Sequence, residues 1–215
     1  MILRFAVPAM VLIACMVTQG GLAADRSVLD SERRAQLNAG NAAQRSEVLV
    51  WLAEHGSQSD TESVVPRLKD MDARVRQLAE LTLWSMWLHS GDEQVDTWMN
   101  EAQVLMSSGD FEGAISVFTQ VVQRSPSFAE GYNKRATALY LNGDFDASLK
   151  DIAAVLKINP SHFGALSGAG LCLLKLERPQ EALFYFECGL EVNPNMDGIR
   201  SMVESLRRAS PRPSA

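Results

Sequence analysis

The chain has little of what most catalytic sites are built from. Its 215 residues contain three histidines and three cysteines. His55, His89 and His162 each stand alone, read here as solvent-facing helix-end or loop positions. No H-E-x-x-H, C-x-x-C or G-x-S-x-G occurs, so the common signatures of zinc hydrolases, thiol oxidoreductases and serine hydrolases are missing. Without a metal cluster, or a nucleophile beside a base, the expectation is no enzyme, no cofactor and no metal. Positive charge is short as well. Twenty Lys and Arg against 26 Asp and Glu leave a net charge of −6, with the cations dispersed. That excludes a nucleic-acid surface, which needs clustered cations. No apolar run reaches the roughly 20 residues of a membrane span. No alternating apolar–polar stretch marks a strand, so the expected fold is all-α.

What is present begins with a leader. Arg4 precedes the apolar run Phe5–Val17, and a small, polar stretch follows as far as Ala24. This is the charged, apolar and small-residue order of a secretory signal peptide, so residues 1–24 are read as one. Cleavage near Ala24 removes one positive charge and takes the net charge to −7. Export to the periplasm or the medium is the expectation. Leu12-Ile13-Ala14-Cys15 also resembles a lipobox, so the alternatives are a lipoprotein acylated at Cys15 or an uncleaved anchor. A membrane is a partner only in those cases.

The chain then repeats itself. "SGDFEGAISVFTQVVQRSP", "NGDFDASLKDIAAVLKINP" and "LERPQEALFYFECGLEVNP" align so that Pro126, Pro160 and Pro194 fall 34 residues apart. Gly109, Gly143 and Glu177 share one place, Ala114, Ser148 and Ala182 another, and Phe118, Ile152 and Phe186 a third. Upstream, Trp98, Tyr132 and Leu166 correspond, as do Ala102, Ala136 and Gly170. Gly170 thus takes the place of two alanines and does not belong to a phosphate loop, which needs a strand before it. Gly164 and Gly168 stay without a partner in this pattern.

Over Val95–Met196 the pattern resembles the tetratricopeptide repeat (TPR) family. The resemblance implies three helix hairpins, 95–128, 129–162 and 163–196, stacked in a right-handed superhelix within 93–196. "AEGYNKRATALY" and "HFGALSGAG" look like stretches of small exported bacterial TPR proteins. Carrying over the family's groove positions marks Met99, Gln103 and Met106 in the first repeat. Asn133, Lys134, Thr137, Tyr140 and Leu141 follow in the second, and Ser167, Leu171, Leu174 and Lys175 in the third. Family members that clamp the C-terminal carboxylate of cytosolic chaperones place Lys, Asn and Arg where this chain has Met99, Gln103, Lys134, Gly164 and Gly168, so that clamp is mostly absent. The remaining lining is an apolar, partly Met-lined trough suited to an adaptable peptide. Lys134 and Lys175 are expected to pair with acidic groups of a partner. The two unexplained glycines would let a partner chain, or another helix, approach bare backbone. By the same analogy Cys172 faces the packing and Cys188 the surface, with a disulfide as the alternative.

Before the repeats, Asp70, Asp72, Val75, Arg76 and Ala79 resemble a HEAT-type helix pair, within an N-terminal helical region 25–92. The helix through Trp84 and Trp87 is apolar nearly all round in its second half and is expected to be buried on several sides. It reads as the joint that seats the N-terminal helices on the first hairpin. After the repeats, Ile199, Met202, Val203 and Leu206 mark a capping helix over 197–208, and 209–215 reads as a disordered tail. The function these features imply is a non-enzymatic scaffold or adaptor of the bacterial cell envelope, holding a segment of another protein and neither nucleic acid nor a small-molecule substrate. The alternative is a structural subunit of a larger or self-associating assembly.

Overall fold

The computed structural model of the chain describes residues 30–209. The leader with Cys15 and the tail from 210 lie outside the described residues. Among the described residues every regular element is helical. Helix α1 covers 30–39 and α2 is Ala42–His55. Short turns of helix follow from Gln58 to Lys69, with α3 (Thr61–Val64) among them. Then come α4 (Ala73–Leu88), α5 (Glu93–Ser108), α6 (Phe111–Arg124), α7 (Ala129–Asn142) and α8 (Phe145–Ile158). The series ends with α9 (Phe163–Lys175), α10 (Pro179–Val192) and α11 (Asp197–Ala209).

Two compact units divide the described residues, 30–48 and 49–209. The division falls inside α2, whereas the sequence reading puts a boundary at residue 92. In the first unit α2 is started by a reciprocal capping pair. The Gln44 N–H donates to Asn41 Oδ1 and the Asn41 N–H to Gln44 Oε1, satisfying two orphan donors at once.

In the second unit the repeat register becomes a repeated hydrogen-bond pattern. Each hairpin turns through a left-handed residue: Gly109 at φ 82°, Gly143 at φ 92° and Glu177 at φ 58°. The two N–H groups at each turn return to the preceding helix, Gly109 to Met106 and Asp110 to Leu105 in the first hairpin. Gly143 and Asp144, then Glu177 and Arg178, repeat the arrangement. This satisfies carbonyls that a helix end would otherwise leave unpaired. The small positions allow close helix crossing. Ala102, Ala136, Ala114 and Ala182 are all buried, and the Ser148 hydroxyl donates to the Ala136 carbonyl at 2.7 Å. A Cβ on Gly170 would collide with the Phe186 ring, which packs flat on the bare helix. Between repeats, the Arg135 fork grips both carboxylate oxygens of Asp151 at 2.7 Å and also donates to Thr119. One guanidinium thereby joins α6, α7 and α8. At the C-terminal end Ile199, Val203 and Leu206 of α11 pack on the third hairpin with Phe186.

Helix α4 seats elsewhere than the sequence suggests. Asp72 caps its start by accepting from Arg74 and Val75. Thr82 and Ser85 tie it to the Leu49 and Ala53 carbonyls of α2. Its two tryptophans, however, pack on the entry to the third repeat. The Trp84 ring lies 5.2 Å from that of Phe163, and Trp87 stacks on His162 at 4.3 Å. Further back, Arg76 donates to the Asn195 side chain, which itself donates to the Leu68 carbonyl. The joint is made with α9 and the last junction, and not principally with the first hairpin. Gly164 is the physical reason. A Cβ there would stand 2.6 Å from the Trp84 ring, so only a residue without a side chain admits the indole.

Candidate functional site

The first helices of the three hairpins, α5, α7 and α9, present the residues that the family pattern assigns to a groove. They do not form one continuous trough. Two clefts result.

The first cleft, of about 180 Å³, lies between α7 and α9. Asn133, Thr137 and Tyr140 line it from α7, and Gly164, Ser167, Gly168 and Leu171 from α9. Its floor is Ala136, Ser148, Ile152 and Cys172. Tyr140 is held by Phe145, whose ring centre is 5.5 Å away. The Cys172 thiol donates to Ser148 Oγ at 3.2 Å. Burial pushes that thiol up from its ordinary range, while the Ser148 contact pulls weakly the other way. The more exposed Cys188 thiol is raised too, by burial and then by Glu191 and Glu187. Cys172 is buried and Cys188 half-buried, and the two are unpaired in this structure.

The second cleft, of about 400 Å³, is more polar. Asp96, Met99, Asn100 and Gln103 of α5 meet Lys134 of α7 there, with Leu88 and His89 at the end of α4. Met99 contributes an edge only, because most of it sits in the core of the first hairpin. Asp96 is engaged, accepting from the Ser90 hydroxyl at 2.6 Å and the Ser90 N–H at 3.0 Å.

Four expected groove residues line neither cleft. Met106 packs into the first-hairpin core and Leu174 into that of the third. Leu141 and Lys175 are exposed beyond the cleft ends. Lys134 is not a free cation for a partner. Its ammonium stands 3.5 Å from Glu130 Oε1.

Glu130 and His162 are both fully buried, and His162 is no solvent-facing loop residue. Its Nδ1 accepts the Ala165 N–H at 3.1 Å and so caps α9. The imidazole therefore carries its proton on Nε2, which donates to Glu130 Oε2 at 3.0 Å. Asn133 donates to the same oxygen at 3.0 Å. The carboxylate, the imidazole and Trp87 form a sealed layer under α4.

Sequence reasoning missed the cleft floor and the α4 contribution. Cys172 was within reach, since it follows Gly168 by four residues on one helix face. Leu88 and His89 carried no local signal, because only tertiary packing brings them to α5. Among the described residues no group of three His, Cys, Asp or Glu is placed to hold a metal ion. Among them, too, no helix is long and apolar enough to cross a membrane.

Comparison with known proteins agrees with this geometry. The family model for the tetratricopeptide repeat matches residues 99–161 and again 133–187. A TPR repeat-containing protein of Rhizobium etli is 32% identical over 108 residues, which is 50% of this chain and 53% of that protein. Human tetratricopeptide repeat protein 4 is 28% identical over 130 residues, 57% of this chain and 34% of its own length. The chain thus spans about half or less of the length of these curated relatives. Among solved structures, the first TPR of Spaghetti (RPAP3), bound to the HSP90 peptide SRMEEVD, has a TM-score of 0.53 at 22% identity. It covers 55% of this chain and 94% of its own, a likeness of fold. Thirty-four-residue register, three left-handed hairpin turns, small-residue crossings and these matches converge: residues 99–187 carry tetratricopeptide repeats.

Proposed function

We propose that this chain is a non-enzymatic adaptor of the bacterial cell envelope, holding a segment of another protein against α7 and α9. The observation that carries this reading is the Tyr140–Leu171 cleft. It lies on the helix face that the repeats present, and no residue of α4 is among its lining. The RPAP3 neighbour, captured with an HSP90 peptide, supports a peptide as the kind of ligand. The same peptide is not expected here, because no cation lines this cleft. The leader, with cleavage near Ala24 or acylation of Cys15, supports an exported location, and the acidic balance suits a protein partner better than a nucleic acid.

The test is a photo-crosslinking residue at Tyr140 in the protein made in its own cell, with attached chains identified by mass spectrometry. One dominant envelope protein is the expected product, lost in the Leu171→Glu background while circular dichroism still shows a folded helical chain. Crosslinks confined to the chain itself would refute the adaptor reading. Recovery of the protein in the cytoplasmic fraction would refute the envelope part alone.

A further inference from the structure

We infer that the cleft between α7 and α9 takes an internal, uncharged stretch of polypeptide carrying one large apolar side chain, and turns away anionic ends. The inference rests on the adaptor reading above and names the chemistry of its ligand.

Three observations lead to it. First, every residue lining the cleft is uncharged, and neither nearby lysine is available there. Lys134 faces the buried Glu130, and Lys175 lines no part of it. A carboxylate or phosphate entering the cleft would leave water without a compensating cation, which is strongly unfavourable. Second, the protons of the three aliphatic hydroxyls on the walls are already engaged, leaving the Tyr140 phenol as the hydroxyl donor there. Thr137 donates to the Asn133 carbonyl at 2.9 Å, Ser167 to the Phe163 carbonyl at 2.9 Å, and Ser148 to the Ala136 carbonyl. Their remaining lone pairs ask for N–H donors, as a backbone supplies. Asn133 has one N–H on Glu130. Its carboxamide oxygen and second N–H remain, the two groups that answer one peptide unit. Third, the size fits a single side chain. A void of about 150 Å³ walled by apolar groups is large enough for benzene, and this cleft measures about 180 Å³. Gly168 keeps it open, since a Cβ there would meet only one Ile152 methyl, at 3.4 Å, and a longer side chain would grow into the space.

Two libraries of random dodecapeptides test this, selected on the full chain. One is displayed between two folded domains, so that neither terminus is free. The other ends in a free C-terminus. The closed library is expected to enrich sequences sharing one Phe, Leu, Ile, Met or Trp, with Asp and Glu depleted about tenfold beside it. Gly168→Leu should abolish the enrichment. Thr137→Val, an exposed change of equal shape, should weaken retention several-fold while the melting curve stays that of the wild type. Enrichment that requires a free C-terminus or acidic residues overturns the inference. So does enrichment indifferent to both substitutions, or none from either library. The adaptor reading is judged separately, by the Tyr140 crosslink, so the two can fail independently.

Discussion

Helices α7 and α9 carry two surfaces that differ in kind although one repeat pattern writes both. At their N-terminal ends Glu130, His162 and Phe163 are sealed under Trp84 and Trp87 of α4. Half-way along, Tyr140, Gly168 and Leu171 border an open cleft. Two glycines one turn apart mark the difference, although both border the cleft. Gly164 is filled by an indole of the same chain, whereas Gly168 faces a single methyl group. A bare helix stretch is thus used once to seat the chain's own helix and once to leave room. Nothing in the two glycines themselves says which is which.

Four substitutions or measurements sharpen that contrast. Trp87→Ala removes the ring stacked on His162 and should cost about 3–5 kcal/mol of stability, as large aromatic deletions in cores do. Urea unfolding would read it, and a loss below 1 kcal/mol would mean that the seal is not a core. Gly164→Leu forces Trp84 off the α9 backbone. We expect about 1–3 kcal/mol of destabilisation together with a red shift of tryptophan emission. Unchanged emission would show that the indole does not rest there. At the third turn the sign reverses. Glu177 holds φ 58°, a conformation costing a side-chain-bearing residue about 1–2 kcal/mol. Part of that gain is returned through glycine's greater unfolded freedom, so Glu177→Gly should raise stability by about 1 kcal/mol; a lower melting temperature would contradict this. The smallest effect is kinetic. Burial raises both thiols, so each is mostly protonated at neutral pH and labelling should quicken as pH rises. Iodoacetamide should reach the half-buried Cys188 in the native chain and Cys172, on the cleft floor, only after unfolding. Equal rates would mean that the floor opens readily.

How much of this could be read from the residues follows from what periodicity reports. The spacing of Pro126, Pro160 and Pro194 marks the hairpins, and the correspondence of Gly170 with Ala102 and Ala136 accounts for that glycine. Asn133, Thr137, Tyr140, Ser167 and Leu171 do gather in one cleft, because a helix face is a local property. The failures are all tertiary. Met106 and Leu174 share the groove spacing, yet their flexible chains turn into neighbouring cores. His162 looked bland because its partners, Glu130 and Trp87, stand 32 and 75 positions earlier. The all-round apolar surface of α4 announced burial on several sides, yet Leu81 and Leu88 stay exposed, and the pattern did not say against which repeat the helix packs. Lys134 reads as a free cation only as long as the buried carboxylate one turn earlier goes unnoticed.

The contacts of Asn195 bear on how the molecule comes apart. A linear array of repeats holds each unit by its neighbours only, so it can fray from either end, one hairpin at a time. Here Asn195 joins Arg76 and Leu68, partners 119 and 127 positions away, and the tryptophans of α4 lie on α9 between them. Peeling the last hairpin from the stack exposes those rings and breaks those bonds in the same event. Loss of the third repeat is therefore coupled to loss of the α4 seat. Hydrogen exchange in α9 and α4 should then report one opening free energy, and the slow closure of so long a loop places their docking late in folding.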